Sequence, residues 1–477
     1  MNRPPAQPAA AAPALALPPP SPVLGALVTL FLLAQFIPQA VYFTVGPLQF
    51  TPARTLSILL FPLLAFGRRI RWAWPDLLML GPFLVTFVSI VRHGGTGVAV
   101  EWDGRMFLDV GVAYLVGRCV AGNLAWFART MRMLTGLLAV FGVMAFVEAA
   151  YRFNVHLALW GVVANVGGVF EEQRMGLFRA RGWTTHPIMH GLVYATFLPL
   201  AVQAALDRTG VTGRFARLKV AGLVAGTIFC MSSGVWIAAS VAVLLLAYDR
   251  LVRIKAGVRW GAFFVGAPLT YVLLEVVANR PLLRILMMKM HISSPDAWQY
   301  RWRLNQRVLD QMPGNWPLGW GLHIPDEFTQ ITGWSIDNHF LVLILMTGVI
   351  GLSAWIVFML GALLFRARYV WFGNDGPLPR TARTAGFALL GSVAAQFSVA
   401  LYSTAHVVLW LIMGVGVSLA MMCAQPPPPP RAGQRRATAG QRAAGQGRAA
   451  PRRGTVPAAV AGPTTTMPVD PAGATAP

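Results

Sequence analysis

Acidic side chains are scarce in this chain. It carries 17 Asp and Glu against 39 Lys and Arg, and charged residues of both signs make up only 12% of 477. A soluble domain usually has about a quarter of its residues charged, so a water-soluble globular fold is excluded. Cysteine is nearly absent. Cys119, Cys230 and Cys423 are too few and too widely spaced for a disulfide framework or a zinc site. The apolar runs are continuous rather than alternating, which excludes a β-barrel. No nucleotide-binding loop is present, so an ATP-driven pump would need a partner. Residues 1–22 are Ala/Pro-rich and lack the basic start and single apolar core of a signal peptide. The first span is therefore expected to serve as an uncleaved anchor.

What the chain does have is apolar runs of roughly twenty residues, the length a helix needs to cross a bilayer. The expected fold class is an all-α polytopic membrane protein with about twelve transmembrane helices. The segments fall at 23–41, 52–66, 75–91, 105–120, 133–151, 187–206, 218–231, 233–248, 261–278, 338–365, 384–401 and 405–423. They form one domain, 23–424, between a disordered N-terminus (1–22) and a disordered basic, Pro/Ala-rich tail (425–477). With the N-terminus in the cytoplasm, most of the 39 basic residues fall in cytoplasmic loops or in the tail, as the positive-inside rule requires. An even span count puts both termini inside. The same distribution argues against a nucleic-acid partner and leaves membrane lipid as the neighbour of the tail arginines.

Between two spans lies a long polar stretch, 279–337, expected to be an outer loop containing short helices. A loop this long is functional or disordered, and its tryptophans and paired glycines argue against disorder. All eight histidines fall on or near the outer side of this topology. So do two arginine clusters that run against the positive-inside trend, at Arg174, Arg179 and Arg181 and at Arg301, Arg303 and Arg307. Guanidinium forks match phosphate oxygens, so an outward basic site suggests an anionic ligand such as a diphosphate.

Three constellations stand in order. The first is Arg179-Ala-Arg181-Gly182-Trp183-Thr-Thr-His186-Pro187, leading into the sixth span. Pro187 suits a first helical turn, and the helix dipole adds attraction for an anion. An interfacial loop anchored by Trp183 reads the same residues without a ligand. The second is Tyr300-Arg301-Trp302-Arg303, on a stretch (297–312) with the pattern of an amphipathic surface helix, followed by Pro317-Leu-Gly319-Trp320-Gly321. The third is Asp337-Asn338-His339-Phe340-Leu341, followed by Gly348 and Gly351. Asp and Asn there serve equally as helix caps, and the glycine pair as a close helix–helix contact.

Together, and in this order, the motifs resemble the O-antigen ligase and O-antigen polymerase superfamily of bacterial envelope glycosyltransferases. The resemblance covers about 170–365. In that family an Arg-Gly…His/Asn-Pro loop precedes a long outer loop with a basic-aromatic helix and a Gly-Trp-Gly-like turn. The next span opens His-Asn-x-Tyr-Leu and continues to Gly-x-x-Gly. Here Asp337 falls where ligases carry their essential histidine, and His339 falls at a variable position. Asp-Asn-x-Phe/Tyr-Leu is closer to the capsule, exopolysaccharide and O-antigen polymerases.

The resemblance implies a glycan donor on undecaprenyl diphosphate at the outer face of the bacterial inner membrane, with a glycan or lipid-linked acceptor and envelope polysaccharide assembly proteins as partners. The acceptor hydroxyl attacks the anomeric carbon and undecaprenyl diphosphate leaves. The permanent charge of that group calls for cations: Arg179, Arg181, Arg301 and Arg303, with His186, Asn338 and Trp320 completing the substrate site. Asp337 and His339 compete as the base. No Asp-x-Asp pair stands in an outer loop, so arginine is expected to replace metal, with no cofactor. Two alternatives stay open: a ligase transferring glycan to lipid A core, and a transporter of lipid-linked sugar. A transporter is expected to have two matching halves and ionisable residues near the midplane.

Overall fold

The computed structural model describes residues 17–46, 48–164, 172–207, 215–278, 297–311, 314–324, 336 and 338–425. The chain separates into two units, Met1–Pro426 and Pro427–Pro477, and all described residues belong to the first. The helices are α1 Pro22–Ala34, α2 Pro52–Ala65, α3 Trp74–Leu78, α4 Leu80–Met106, α5 Val112–Ala121, α6 Leu124–Tyr151, α7 Val155–Ala164 and α8 Pro187–Asp207. They continue with α9 Ala216–Phe229, α10 Ser233–Leu251, α11 Ala256–Val277, α12 Ala297–Gln311, α13 His339–Leu364, α14 Ala367–Val370, α15 Pro377–Gln396 and α16 Ser403–Cys423. Among the described residues, strands are confined to two small antiparallel hairpins, β1 Phe43–Val45 with β2 Leu48–Phe50, and β3 Gln173–Arg174 with β4 Leu177–Phe178.

Among the described residues, seven segments are long and apolar enough to cross a membrane: Trp74–Ala121, Leu124–Tyr151, Pro187–Asp207, Ser233–Leu251, Ala256–Val277, His339–Val370 and Ser403–Cys423. The chain is a helical, membrane-embedded protein. Each of the twelve segments expected from the sequence contains a helix, but α1, α2 and α9 have only 13 or 14 residues. Such helices reach about 20 Å, short of the roughly 30 Å hydrocarbon layer. Among the described residues seven segments meet the length and apolarity that a crossing needs, and twelve spans are not confirmed.

The first of the seven is two arms rather than one rod. Gly95 (φ 84°, ψ 169°) breaks α4 in a region of backbone space open essentially only to glycine. The arms then run back along each other. Phe83 packs on Phe107 with ring centroids 5.4 Å apart, and Arg118 Nε meets Asp76 at 2.8 Å. A straight helix would separate residues 76 and 118 by about 63 Å.

α16 is the central helix. It is buried along most of its length, packed between α5, α15 and α8. At one end of the bundle three arginines are buried in ion pairs. Arg118 holds Asp76 and the Ser418 hydroxyl; Arg259 and Arg383 share Asp249 and Asp375. The sequence marks these residues as topology signals, and the fold also uses them to tie loops to helices. The candidate site lies at the opposite end.

Candidate functional site

A cavity of about 310 Å³ opens between the second arm of α4, the first turns of α13 and α16, and the link 400–403. Aromatic rings of Phe83, Trp102, Trp355 and Trp410 form much of its wall, and Asp103, Asp109, His339, Ser403 and His406 bring the polar groups. A π-helical turn, Phe107–Gly111, joins α4 to α5. The wider turn resets the helical phase, a distortion often found at functional sites. It brings Asp109 and Val110 to the same wall as Asp103 and Met106.

Asn338 starts α13. Its Oδ1 accepts from the N–H groups of Phe340 (3.0 Å) and Leu341 (3.3 Å), as a helix N-cap does. The capped turn fixes His339, only 4% exposed, at the cavity wall. The N–H of Leu401 donates to His339 Nδ1 at 3.2 Å. A neutral ring with Nδ1 as acceptor carries its proton on Nε2. That buried Nε2 has no protein hydrogen-bond partner among the described residues, and neither has Nε2 of His406, whose ring centroid is 5.5 Å away. Asp109 accepts two hydrogen bonds from Arg54, at 2.9 and 2.8 Å.

The Gly-Trp-Gly turn is built into α13. Gly348 (φ 64°, ψ −167°) breaks that helix, and the segment 316–321 fills the break. Trp320 N–H donates to the Leu345 carbonyl (2.8 Å) and Gly321 N–H to that of Met346 (2.9 Å); Val349 N–H donates to Trp316 (2.8 Å) and Ile350 N–H to Pro317 (3.2 Å). Four backbone groups beside the break, the Leu345 and Met346 carbonyls and the Val349 and Ile350 N–H groups, thereby gain partners, as buried non-helical backbone in a membrane protein requires. A Cβ on Gly348 would collide with the Pro317 carbonyl. The sequence reading of Gly348 as a helix–helix contact is therefore corrected: the approach is close, but it is to a loop. The Ser89 hydroxyl shares its proton between the carbonyls of Leu318 (2.5 Å) and Met346 (2.6 Å), and His93 Nε2 lies 3.1 Å from the Gly319 carbonyl.

The arginine loop before α8 forms a second cluster. Glu148, near the end of α6, accepts from Gly182 N–H (2.9 Å), Arg181 N–H (3.2 Å) and Asn154 Nδ2 (2.7 Å). Gly182 has φ +53°, and a side chain there would strike the His190 ring. Arg179 is 2% exposed; it donates to the Cys230 carbonyl (3.2 Å) and to Glu172 (2.5 Å). Burial acts to raise the Glu172 carboxyl, but Arg179 and Arg174 beside it hold it below the usual carboxylate range. Arg181 is half-buried, and burial lowers its guanidinium from its ordinary value while Glu148 opposes the shift. His186 Nδ1 accepts from Ile188 N–H (3.2 Å) and so caps α8, which starts at Pro187.

Of the residues singled out in the sequence, His339 reaches the cavity wall and Asn338 fixes the turn that carries it. Trp320 docks into the α13 break. Arg303 is exposed on α12, whose Leu304 and Val308 pack against Leu341 and Leu345. Arg179, Arg181 and His186 belong to the second cluster. The two clusters adjoin at the end of α1: Phe36 packs on Trp183 (4.9 Å), and the Gln35 carbonyl accepts from the Thr404 hydroxyl at 3.5 Å. Asp337 and the side chain of Arg301 lie outside the described residues. The sequence reading missed Asp103, Arg54, Ser403 and His406. A signal existed for Asp103: an acidic residue beside an apolar run of a membrane protein marks a site by default.

Among the described residues, no group of three or more His, Cys, Asp or Glu is placed to hold a metal ion. The fold and the cavity define a class: a polytopic helical membrane protein with an aromatic-walled, largely apolar cavity at one end of its bundle, into which a few polar groups are set. No protein family and no curated protein matches this chain.

Proposed function

We propose that this protein polymerises glycan repeat units carried on undecaprenyl diphosphate at the outer face of the bacterial inner membrane, without a metal. The observation that supports the reading is the cavity itself. It lies where the motif-bearing helix α13 begins, and His339, His406 and Asp103 bring to it buried polar atoms without partners among the described residues. In the reaction the acceptor hydroxyl forms a new bond to the anomeric carbon. The bond from that carbon to the diphosphate oxygen breaks, the electron pair leaves with undecaprenyl diphosphate, and a base takes the hydroxyl proton. Leu401 N–H on Nδ1 makes Nε2 of His339 a donor, suited to orient the hydroxyl rather than deprotonate it. That favours Asp337 as the base. Arg181, Arg301 and Arg303 bind the diphosphate; Arg179, already engaged by Glu172, holds the loop that carries Arg181.

The test is the glycan of a deletion strain. Single repeat units left on lipid A core mean polymerase; full-length lipid-linked chains without transfer mean ligase. Unchanged surface glycan would reject glycosyl transfer altogether. One observation favours a transporter instead: α4 and α13 are both broken, at Gly95 and Gly348, beside a buried cavity, a geometry that secondary transporters use. Movement of labelled lipid-linked sugar across proteoliposomes, without chain growth, would decide for it.

A further inference from the structure

The cavity sorts ligands by charge. Two carboxylates line it, and only one is ion-paired among the described residues. Asp109 is matched by the two hydrogen bonds from Arg54. Asp103 is 9% exposed, forms no ion pair among the described residues, and its Oδ1 has no hydrogen-bond partner there. Among the described residues, no lysine or arginine lines the cavity. A diphosphate or a sugar acid entering it would give up its hydration without gaining a cationic partner, which costs far more than burying a neutral group that finds hydrogen bonds.

What the walls do offer is complementary to a neutral sugar ring. Asp103 accepts hydrogen bonds and His339 Nε2 donates one. Trp102, Trp355 and Trp410 present flat apolar surface. A pyranose has the matching parts: hydroxyls that both donate and accept, and a face of C–H groups that packs on indole. The volume, about 310 Å³, stands at the small end of ligand cavities, which run roughly 300–1,000 Å³. That suits one sugar unit rather than a chain.

We propose that this cavity seats a single neutral pyranose of the acceptor glycan, and that its largely apolar walls, with no lysine or arginine among the described lining residues, exclude acidic sugars and the diphosphate from it. The proposal rests on the glycosyl-transfer reading and names its sugar class. The diphosphate then binds outside the cavity, on the arginine side of the site.

The experiment is ligand binding by saturation-transfer NMR on the full chain in lipid nanodiscs, free of sugar detergents. The probes are methyl gluco-, galacto- and mannopyranosides, the N-acetylglucosaminide, and methyl glucopyranosiduronate. At least one neutral glycoside should bind, with the uronate at least about tenfold weaker. Asp103→Asn keeps the shape and replaces the carboxyl with an amide. It should weaken the neutral ligand about fivefold, as disturbing a buried hydrogen bond does, and should leave the uronate the weaker ligand. If that variant fails to fold, the wild-type ratio and the weaker binding expected of His406→Gln decide. Uronate binding as tight as the best neutral glycoside, or no neutral binding at all, would overturn the proposal. Binding is read without turnover, so the two readings fail separately. A chain that binds neutral sugar but extends no glycan refutes the polymerase, and one that extends glycan while accepting uronate refutes the cavity assignment.

Discussion

His156 shows how far a single buried ring can set the behaviour of this end of the bundle. It packs against Phe141 (4.8 Å) and Trp183 (5.6 Å), and burial pushes its pKa down to about 4. The unfolded ring titrates near 6.5, so between these values the unfolded chain binds the extra proton. Stability from this group is full above pH 6.5 and declines as pH falls towards 4, by on the order of 3 kcal/mol in all. Thermal unfolding in nanodiscs at pH 7.5 and 4.5 should show that drop, and His156→Phe should shrink it; an identical drop in the variant would locate the acid sensitivity elsewhere. The base is tested at the same scale. Asp337→Asn caps a helix about as well as Asp but cannot take a proton, so it should bind lipid-linked substrate and turn over at least about a hundredfold slower. Near-normal turnover there, with collapse in His339→Ala, would move the role to His339. His339 was legible in the sequence because it stands in a motif. Asp103 carried a signal that was passed over, an acid beside an apolar run; His406 carried none, because an isolated histidine in an apolar run acquires meaning only when folding gathers it with other polar groups.

At the scale of elements, the break in α13 makes the sharpest claim. Gly348 occupies backbone space that costs other residues about 1–3 kcal/mol, and any Cβ there would also meet the Pro317 carbonyl. Gly348→Ala should therefore expel the 316–321 segment. The expected readouts are a lowered unfolding temperature and new protease cleavage near Trp320, with α13 still inserted. An unchanged cleavage pattern would mean that the loop is held by something other than the helix break. The pattern of α12 was readable in advance, since Leu304 and Val308 recur at helical spacing. The break was not. Gly348 and Gly351 read equally as a contact between helices, and only the four backbone hydrogen bonds to 316–321 distinguish the two.

For the whole molecule, the distribution of arginine predicts sidedness. The loop 279–337 should lie outside, and the tail and the 207–219 loop should be cytoplasmic. A variant lacking Cys119, Cys230 and Cys423 would carry single cysteines at Ser294 and Thr438. An impermeant thiol reagent added from outside should label the first and spare the second, and the reverse result would invert the topology. The helical class, and a helix in each of the twelve expected segments, could be read from apolar runs alone. The number of crossings could not, because a run of apolar residues does not disclose whether its helix is 14 or 28 residues long, or whether, as at Gly95, it turns back.

The plugged helix also constrains how the protein is made. The Ser89 hydroxyl bonds to a carbonyl 257 residues further along the chain, in α13. At about 5–20 residues per second, ten to fifty seconds of synthesis separate the two. The α4 hairpin must enter the bilayer before its partner exists, with Ser89 satisfied by water or by its own helix. Assembly thus has a fixed order, hairpin first and loop last. A ribosome that stalls before residue 316 leaves an inserted chain whose cavity has never been closed.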